Sequence, residues 1–265
     1  MALLVTAACG TEQVEPANES LDCLNTIDGS GDLEITETVM TPMDDNRATY
    51  AVEITNNSKT DTAMLSTIRI TLLDSDGEPL KQKSDHAPAE DHGVFEYIAP
   101  GKSKYWAGTW PEELTDTPAD MKVDFPKLKH PKVDGKTFWW PHEDVTYSHP
   151  LTAEVTSFEE KKNSPPELSF TAHNDSKIHY PYATVLVVFK DKNGNLLGGQ
   201  EVGPGAQHSS QNIDIGPGET EYTVEAALPE DTPSSAEPEI QVTNSPEWRE
   251  VAPNCPFAYD APQPA

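Results

Sequence analysis

Few residues in this chain have types and spacings that could do chemistry. His130, His142 and His149 share one stretch with Asp134, Glu143 and Asp144. Imidazoles beside carboxylates are ligands for zinc or copper. Their spacing is too irregular to place them on one strand face or one helix face, so no metal is expected there. Asp74-Ser75-Asp76-Gly77 has the opening of a calcium loop but lacks the further acidic ligands and closing Glu. No Gly-x-Ser-x-Gly, phosphate loop, His-Glu-x-x-His or Cys-His pairing occurs. Carboxylates are too numerous for an acid–base pair to stand out, so neither an enzyme nor a cofactor is expected. Phe138, Trp139 and Trp140 lie inside the histidine stretch. Two uses suit them: packing between domains to fix an angle, or an exposed platform for glycan or peptide, joined by Trp106 and Trp110.

The three cysteines are Cys9, Cys23 and Cys255. Before Cys9 runs Leu3-Leu4-Val5-Thr6-Ala7-Ala8, an apolar stretch ending in two small residues. It resembles the lipobox of bacterial lipoprotein signal peptides, although Thr6 stands where a leucine is usual. That resemblance implies cleavage before Cys9, lipidation of its thiol and a start inside the true signal peptide. Two or more acyl chains hold a protein to a membrane stably. The expected address is therefore the outer face of the cytoplasmic membrane, reached through lipid alone. Cys23 and Cys255 remain as an even pair in an exported chain. Either they form a disulfide, which stabilises by about 5 kcal/mol through so long a loop, or they are free or intermolecularly paired thiols.

Across the whole chain, 45 acidic against 18 basic side chains give a net charge of −27. Such a field disfavours nucleic acid and anionic headgroups. With 35% hydrophobic residues, 24 prolines and 15 glycines, helices should be scarce and turns frequent. A chain of 265 residues accommodates two domains.

An internal repeat organises those domains. Asn56-Asn57-Ser58-Lys59 recurs as Asn174-Asp175-Ser176-Lys177, and 174 − 56 = 118. Asp74-Ser75-Asp76-Gly77 recurs as Asp191-Lys192-Asn193-Gly194, and 194 − 77 = 117. Ile98-Ala99-Pro100-Gly101 through Tyr105 recurs as Ile215-Gly216-Pro217-Gly218 through Tyr222, again displaced by 117. The one-residue change falls between the first two matches, as a loop deletion would. Within each copy Tyr50, Val52 and Ile54, or Leu168, Phe170 and Ala172, alternate with polar neighbours as in a half-buried strand. Ile68, Ile70 and Leu72 alternate likewise, whereas Val185 to Phe189 is a continuous apolar run of the kind a central strand carries. Asn-rich, Asp-x-x-Gly and Pro-Gly segments mark the turns. Met121, Val123 and Phe125 close the first copy, and Ile240 with Val242 the second.

This order is similar to the FxLYD-type domain of bacterial envelope proteins. The second copy carries the resemblance through Phe170, Asn174, Ser176, Phe189, Asp191, Gly194, Pro217 and Gly218. The first departs from it with Leu73 near the position of Phe189. It implies immunoglobulin-like sandwiches without catalytic apparatus. The expected organisation is all-β: a partial signal segment over 1–9, a tether over 10–31, β-sandwich domains over 32–126 and 150–244, a linker over 127–149 and a tail over 245–265. The expected role is a non-catalytic interaction or spacer module for a cell-envelope protein or glycan. The alternative is a lipoprotein that binds a small molecule, glycan or metal through the aromatic, histidine-rich segment.

Overall fold

The computed structural model describes residues 33–43, 46–110, 113–126, 138–141, 151–161, 166–175, 177, 179–202, 213–226 and 235–243. Among these residues every regular element is a β-strand, and every strand pairing is antiparallel.

In the first half, β1 (Leu33–Met43), β2 (Arg47–Asn56) and β5 (Ser103–Thr109) form one sheet. The other holds β4 (Glu90–Ile98), β3 (Asp61–Leu73) and β6 (Asp120–Asp124), with β7 (Phe138–Pro141) also on β3. Tyr50, Val52 and Ile54 of β2 meet Ile68, Ile70 and Leu72 of β3 in a shared core closed by Ile98, Trp110 and Leu114. The alternation seen in the sequence is thus the inward face of two packed sheets.

The second half repeats the plan. β8 (Thr152–Glu159), β9 (Glu167–Asn174) and β13 (Gly218–Glu225) form one sheet. β10 (Tyr180–Lys190) anchors the other, paired with β11 (Leu196–Val202), β12 (Ile213–Ile215) and β14 (Glu237–Thr243). Leu168, Phe170 and Ala172 meet Val185, Val187 and Phe189, the side facing β11 being filled by Val202 and Ile213. Register repeats along with sequence. Leu72 pairs with Met121 as Phe189 pairs with Pro238, and Ala63 with Ile98 as Tyr180 with Ile215, all displaced by 117. Each opening strand also bulges once, at Thr36 and at Thr156.

The turns follow their sequence signals. Asp191 Oδ1 accepts the amides of Asn193 (2.8 Å) and Asn195 (2.9 Å), while Gly194 takes φ 87°. Those bonds hold the Asp191 carboxyl below its usual range. Asp74 receives Asp76 and Glu78 in the same way, each at 2.9 Å.

Two features depart from a plain duplication. After the Asp74 hairpin, the first half replaces a regular β11-like strand with isolated bridges at Leu73–Pro79 and Lys81–Pro88. Proline cannot donate to a ladder, and β4 therefore pairs along β3 from Ala63 to Thr71. In the second half β11 and β12 share that edge. The segment expected as a linker also contains β7, which pairs Phe138–Pro141 with Asp61–Met64. The first half therefore extends at least to Pro141.

Candidate functional site

Of the residues singled out for binding, Trp106 and Trp110 have described side chains, and both lie in the first half. Trp110 is 5% exposed inside the first core, and its indole N–H has no partner among the described residues. Trp106 is half-buried, donates from Nε1 to Asp91 (3.1 Å) and packs on Gly93, where an added Cβ would lie 2.6 Å from the ring. Neither is free to form a flat platform, because packing and hydrogen bonding already use them. Phe138, Trp139 and Trp140 sit on β7, and their side chains lie outside the described residues. So do Cys9, Cys23, Cys255, His130, His142 and His149. Among the described residues no three His, Cys, Asp or Glu side chains come together as a metal site.

What the structure does build is a contact between the halves, through residues that periodicity does not single out. The outer face of the β1–β2–β5 sheet meets the outer face of β10 and β11. Ala51, Tyr105 and Ala107 pack with Val188 and Leu196, with Val39 at the margin. This explains the continuous apolar run in β10: Val185, Val187 and Phe189 face their own core, while Val188 faces the other half. The strands approach closely because Gly199 has no side chain. A Cβ there would lie 2.8 Å from Ala107 Cβ, 2.8 Å from Val187 O and 2.9 Å from Val188 Cγ1.

Tyr105 reaches this face through a one-residue slip. Asn56 N–H donates to Lys102 O while Gly101 N–H donates to Asn56 O, both at 2.9 Å, so two residues oppose one at a bulge. Gly101 takes φ 65° there, as the glycine of such a bulge does. In the second half Gly218 pairs directly with Asn174, without an extra residue. A slip of one turns every following side chain to the other face. Tyr222 therefore stacks on Phe170 at 5.3 Å, whereas Tyr105, its equivalent in the repeat, faces across to the second half.

Polar groups then fix the contact. Gln241 Oε1 accepts Tyr105 N–H (2.9 Å), and Gln241 Nε2 donates to Tyr105 O (3.1 Å). This side-chain amide caps the open edge of β5, which would otherwise invite another strand. Glu37 Oε1 accepts Leu196 N–H at 2.8 Å. Lys190 Nζ donates to Tyr105 OH at 2.6 Å and pairs with Glu239 at 3.1 Å. Burial works against the Lys190 charge, but its bonds to Tyr105 and Glu239 outweigh that and hold its pKa above the usual range.

At the other end of the contact, Asp91 accepts Tyr50 O–H, Trp106 Nε1–H and the His92 amide. Burial, followed by the nearby Asp91 carboxylate, raises the pKa of Tyr50. Glu201 approaches from β11, and burial followed by Asp91 raises its carboxyl too. An acid whose folded pKa is raised destabilises the native state when ionised, and the cost disappears as pH falls through that pKa. Glu201 keeps an exposed flank, so solvent moderates the effect. Glu201→Gln should therefore raise the melting temperature at pH 8 and lose its advantage below about pH 4. Parallel melts of variant and wild type across that range check it, and a pH-independent difference would assign the gain to something other than charge.

These groups join the first half to the second through an apolar centre and flanking hydrogen bonds. No family model matches the chain and no curated protein matches it. Among solved structures it is similar to vicilin from Corylus avellana (hazelnut), with 7% identity, 82% of this chain and 83% of that one covered, and a TM-score of 0.13. A mutant oxalate decarboxylase from Bacillus subtilis gives 7% identity, 81% and 75% coverage, and a TM-score of 0.12. Neither likeness carries an argument about fold or activity.

Proposed function

We propose that this chain is a lipid-anchored cell-envelope protein in which two docked, FxLYD-like β-sandwich repeats serve as a stiff, non-catalytic interaction or spacer module. The observation that carries this reading is the contact between the halves. Paired domains move relative to one another by default unless an apolar, well-bonded interface holds them. Here Ala51, Tyr105, Ala107, Val188 and Leu196 supply an apolar centre, and Gln241, Lys190 and Glu37 supply directional bonds. A stiff pair projects whatever surface it carries to a set distance from its anchor. The apolar run ending at Cys9 supports the anchor. The net charge of −27 supports solubility outside the membrane and disfavours nucleic acid as a partner.

The test is metabolic labelling of intact cells with a palmitate analogue, comparing wild type with Cys9→Ser, followed by cross-linking and capture. Label on wild type, release of Cys9→Ser into the medium and one reproducible envelope partner are the expected results. An exported but unlabelled wild-type protein rejects the anchor. Labelled protein with no envelope partner at good capture efficiency leaves the spacer role and rejects the interaction role.

A further inference from the structure

The contact between the halves ends on a pair of carboxylates, one from each half. β11 crosses the outer face of the first sheet. Glu37 of β1 accepts Leu196 N–H at 2.8 Å near the start of β11, and Gly199 lies against Ala107 of β5. β1 and β5 flank β2 and so stand about 10 Å apart, the length of about three residues of β11. Glu201 follows two residues later and lies about 7 Å further on, past the edge of β5. Asp91 reaches that same edge from the interior of the first half. It accepts the Tyr50 hydroxyl, which stands 2.7 Å from the place a Cβ on Gly108 of β5 would occupy.

We propose that Asp91 and Glu201 make the docking of the two halves pH-dependent: closing the contact takes up a proton, so acid tightens it and alkali loosens it. This rests on the reading of the chain as a docked pair and names what regulates its stiffness.

The groups around Glu201 set the sign. From β4 comes the Asp91 carboxylate, from β2 the Tyr50 phenol and from β5 the Trp106 indole. In its own sheet Glu201 stands beside Leu186 of β10, and Glu37 of β1 lies at the far end of β11. Asp91 already uses both oxygens: Oδ2 accepts Tyr50 O–H and Trp106 Nε1–H, the latter at 3.1 Å, and Oδ1 accepts the His92 amide at 2.8 Å. A second carboxylate brought beside it is repelled and holds a proton instead. Burial, followed by Asp91, accordingly raises the Glu201 carboxyl. When the halves part, both causes vanish and Glu201 returns toward the ordinary glutamate range. The contact is therefore strongest below about pH 4 and weakens as pH rises through the raised value. Glu201 keeps an exposed flank, which gives protons access and moderates the repulsion.

Hydrogen–deuterium exchange of the Tyr105 amide in the full-length protein tests the proposal. That N–H is held from the second half by Gln241 Oε1 at 2.9 Å, and a glutamine acceptor does not titrate. Its protection, corrected for the intrinsic pH dependence of exchange, reports how often the contact opens. Wild-type protection should be about 10-fold higher at about pH 5 than at about pH 8, and nearly equal at the two in Glu201→Gln. The amide of Ile70, inside the first core, should keep its protection throughout. A wild-type ratio less than about threefold that of Glu201→Gln overturns the proposal, because the pH dependence then comes from the charge of the whole chain. A parallel change at Ile70 also overturns it, since the first half is then unfolding rather than undocking. A Tyr105 amide unprotected in both proteins at both pH values removes the docked pair and this inference together. Protection that is high and equal at both values removes this inference alone.

Discussion

Asn56→Asp should lower the stability of the first half by about 3 kcal/mol, although the side chain barely changes in size. Asn56 is fully buried and uses both ends of its amide. Oδ1 accepts the Ser58 amide at 2.9 Å, closing the turn. Nδ2 donates to Asp61 O and to Ile98 O, both at 2.8 Å, tying β2 to two strands of the opposite sheet. A carboxyl group keeps the first bond and loses the other two, and it aims oxygen at two carbonyls. Each unsatisfied buried polar group costs about 1–3 kcal/mol, and the ionised form costs more. Asn57→Asp is the control for charge: Asn57 is exposed, and the change removes only its bond to Glu34 at 2.8 Å and sets two solvated carboxylates side by side. Urea unfolding followed by tryptophan emission should show a large loss for Asn56→Asp and a loss of no more than about 1 kcal/mol for Asn57→Asp. Equal effects would mean that charge, and not the clamp, matters. Asn174 donates to Gly216 O at 3.1 Å, one residue beyond the equivalent of Ile98, so the second half carries a related tie.

That clamp was half legible in the sequence. Asn-Asn-Ser and Asn-Asp-Ser read as turns because Asn tolerates turn geometry and binds its own backbone, and the Ser58 bond is that reading made real. The reach of Nδ2 across to Ile98 is not local, and no local pattern encodes it. The same division runs through the rest of the molecule. Inward strand faces were readable because alternation of period two reports one buried face. The docking face was not, because its first-half members include Ala51 and Ala107, small residues that alternation treats as neutral. Tyr105 and Tyr222 show the limit most directly. They hold equivalent places in the repeat, and a bulge at Gly101 sends them to opposite faces. The Pro-Gly pair announces a turn in both copies but not which of them carries the extra residue. Trp110 looked available because aromatic residues suit binding as well as cores, and only the surroundings decide between them.

The docking face leads to the second large effect. Gly199→Val should separate the halves while leaving each folded. Its Cβ would meet Ala107 Cβ and Val187 O, both at 2.8 Å, and a backbone oxygen inside a sheet cannot swing aside. The added γ carbons demand more room still, and overpacking of this kind costs about 1–3 kcal/mol. An interface of this type within one chain resembles a transient protein–protein contact, so a cost of that size is enough to open it. Small-angle scattering should then show an increased radius of gyration, and a single heat-unfolding transition should split into two. Because Val187 also belongs to the second half, the variant alone does not separate undocking from damage to that half. Ala107→Leu fills the same gap from the first half, where Ala107 is 4% exposed. If both substitutions expand the particle and uncouple the transitions, the common cause is the lost contact, and a spacer function should weaken with it. If Gly199→Val only lowers the melting of the second half while Ala107→Leu changes nothing, the two sandwiches move independently in solution, and stiffness is no part of how the protein works.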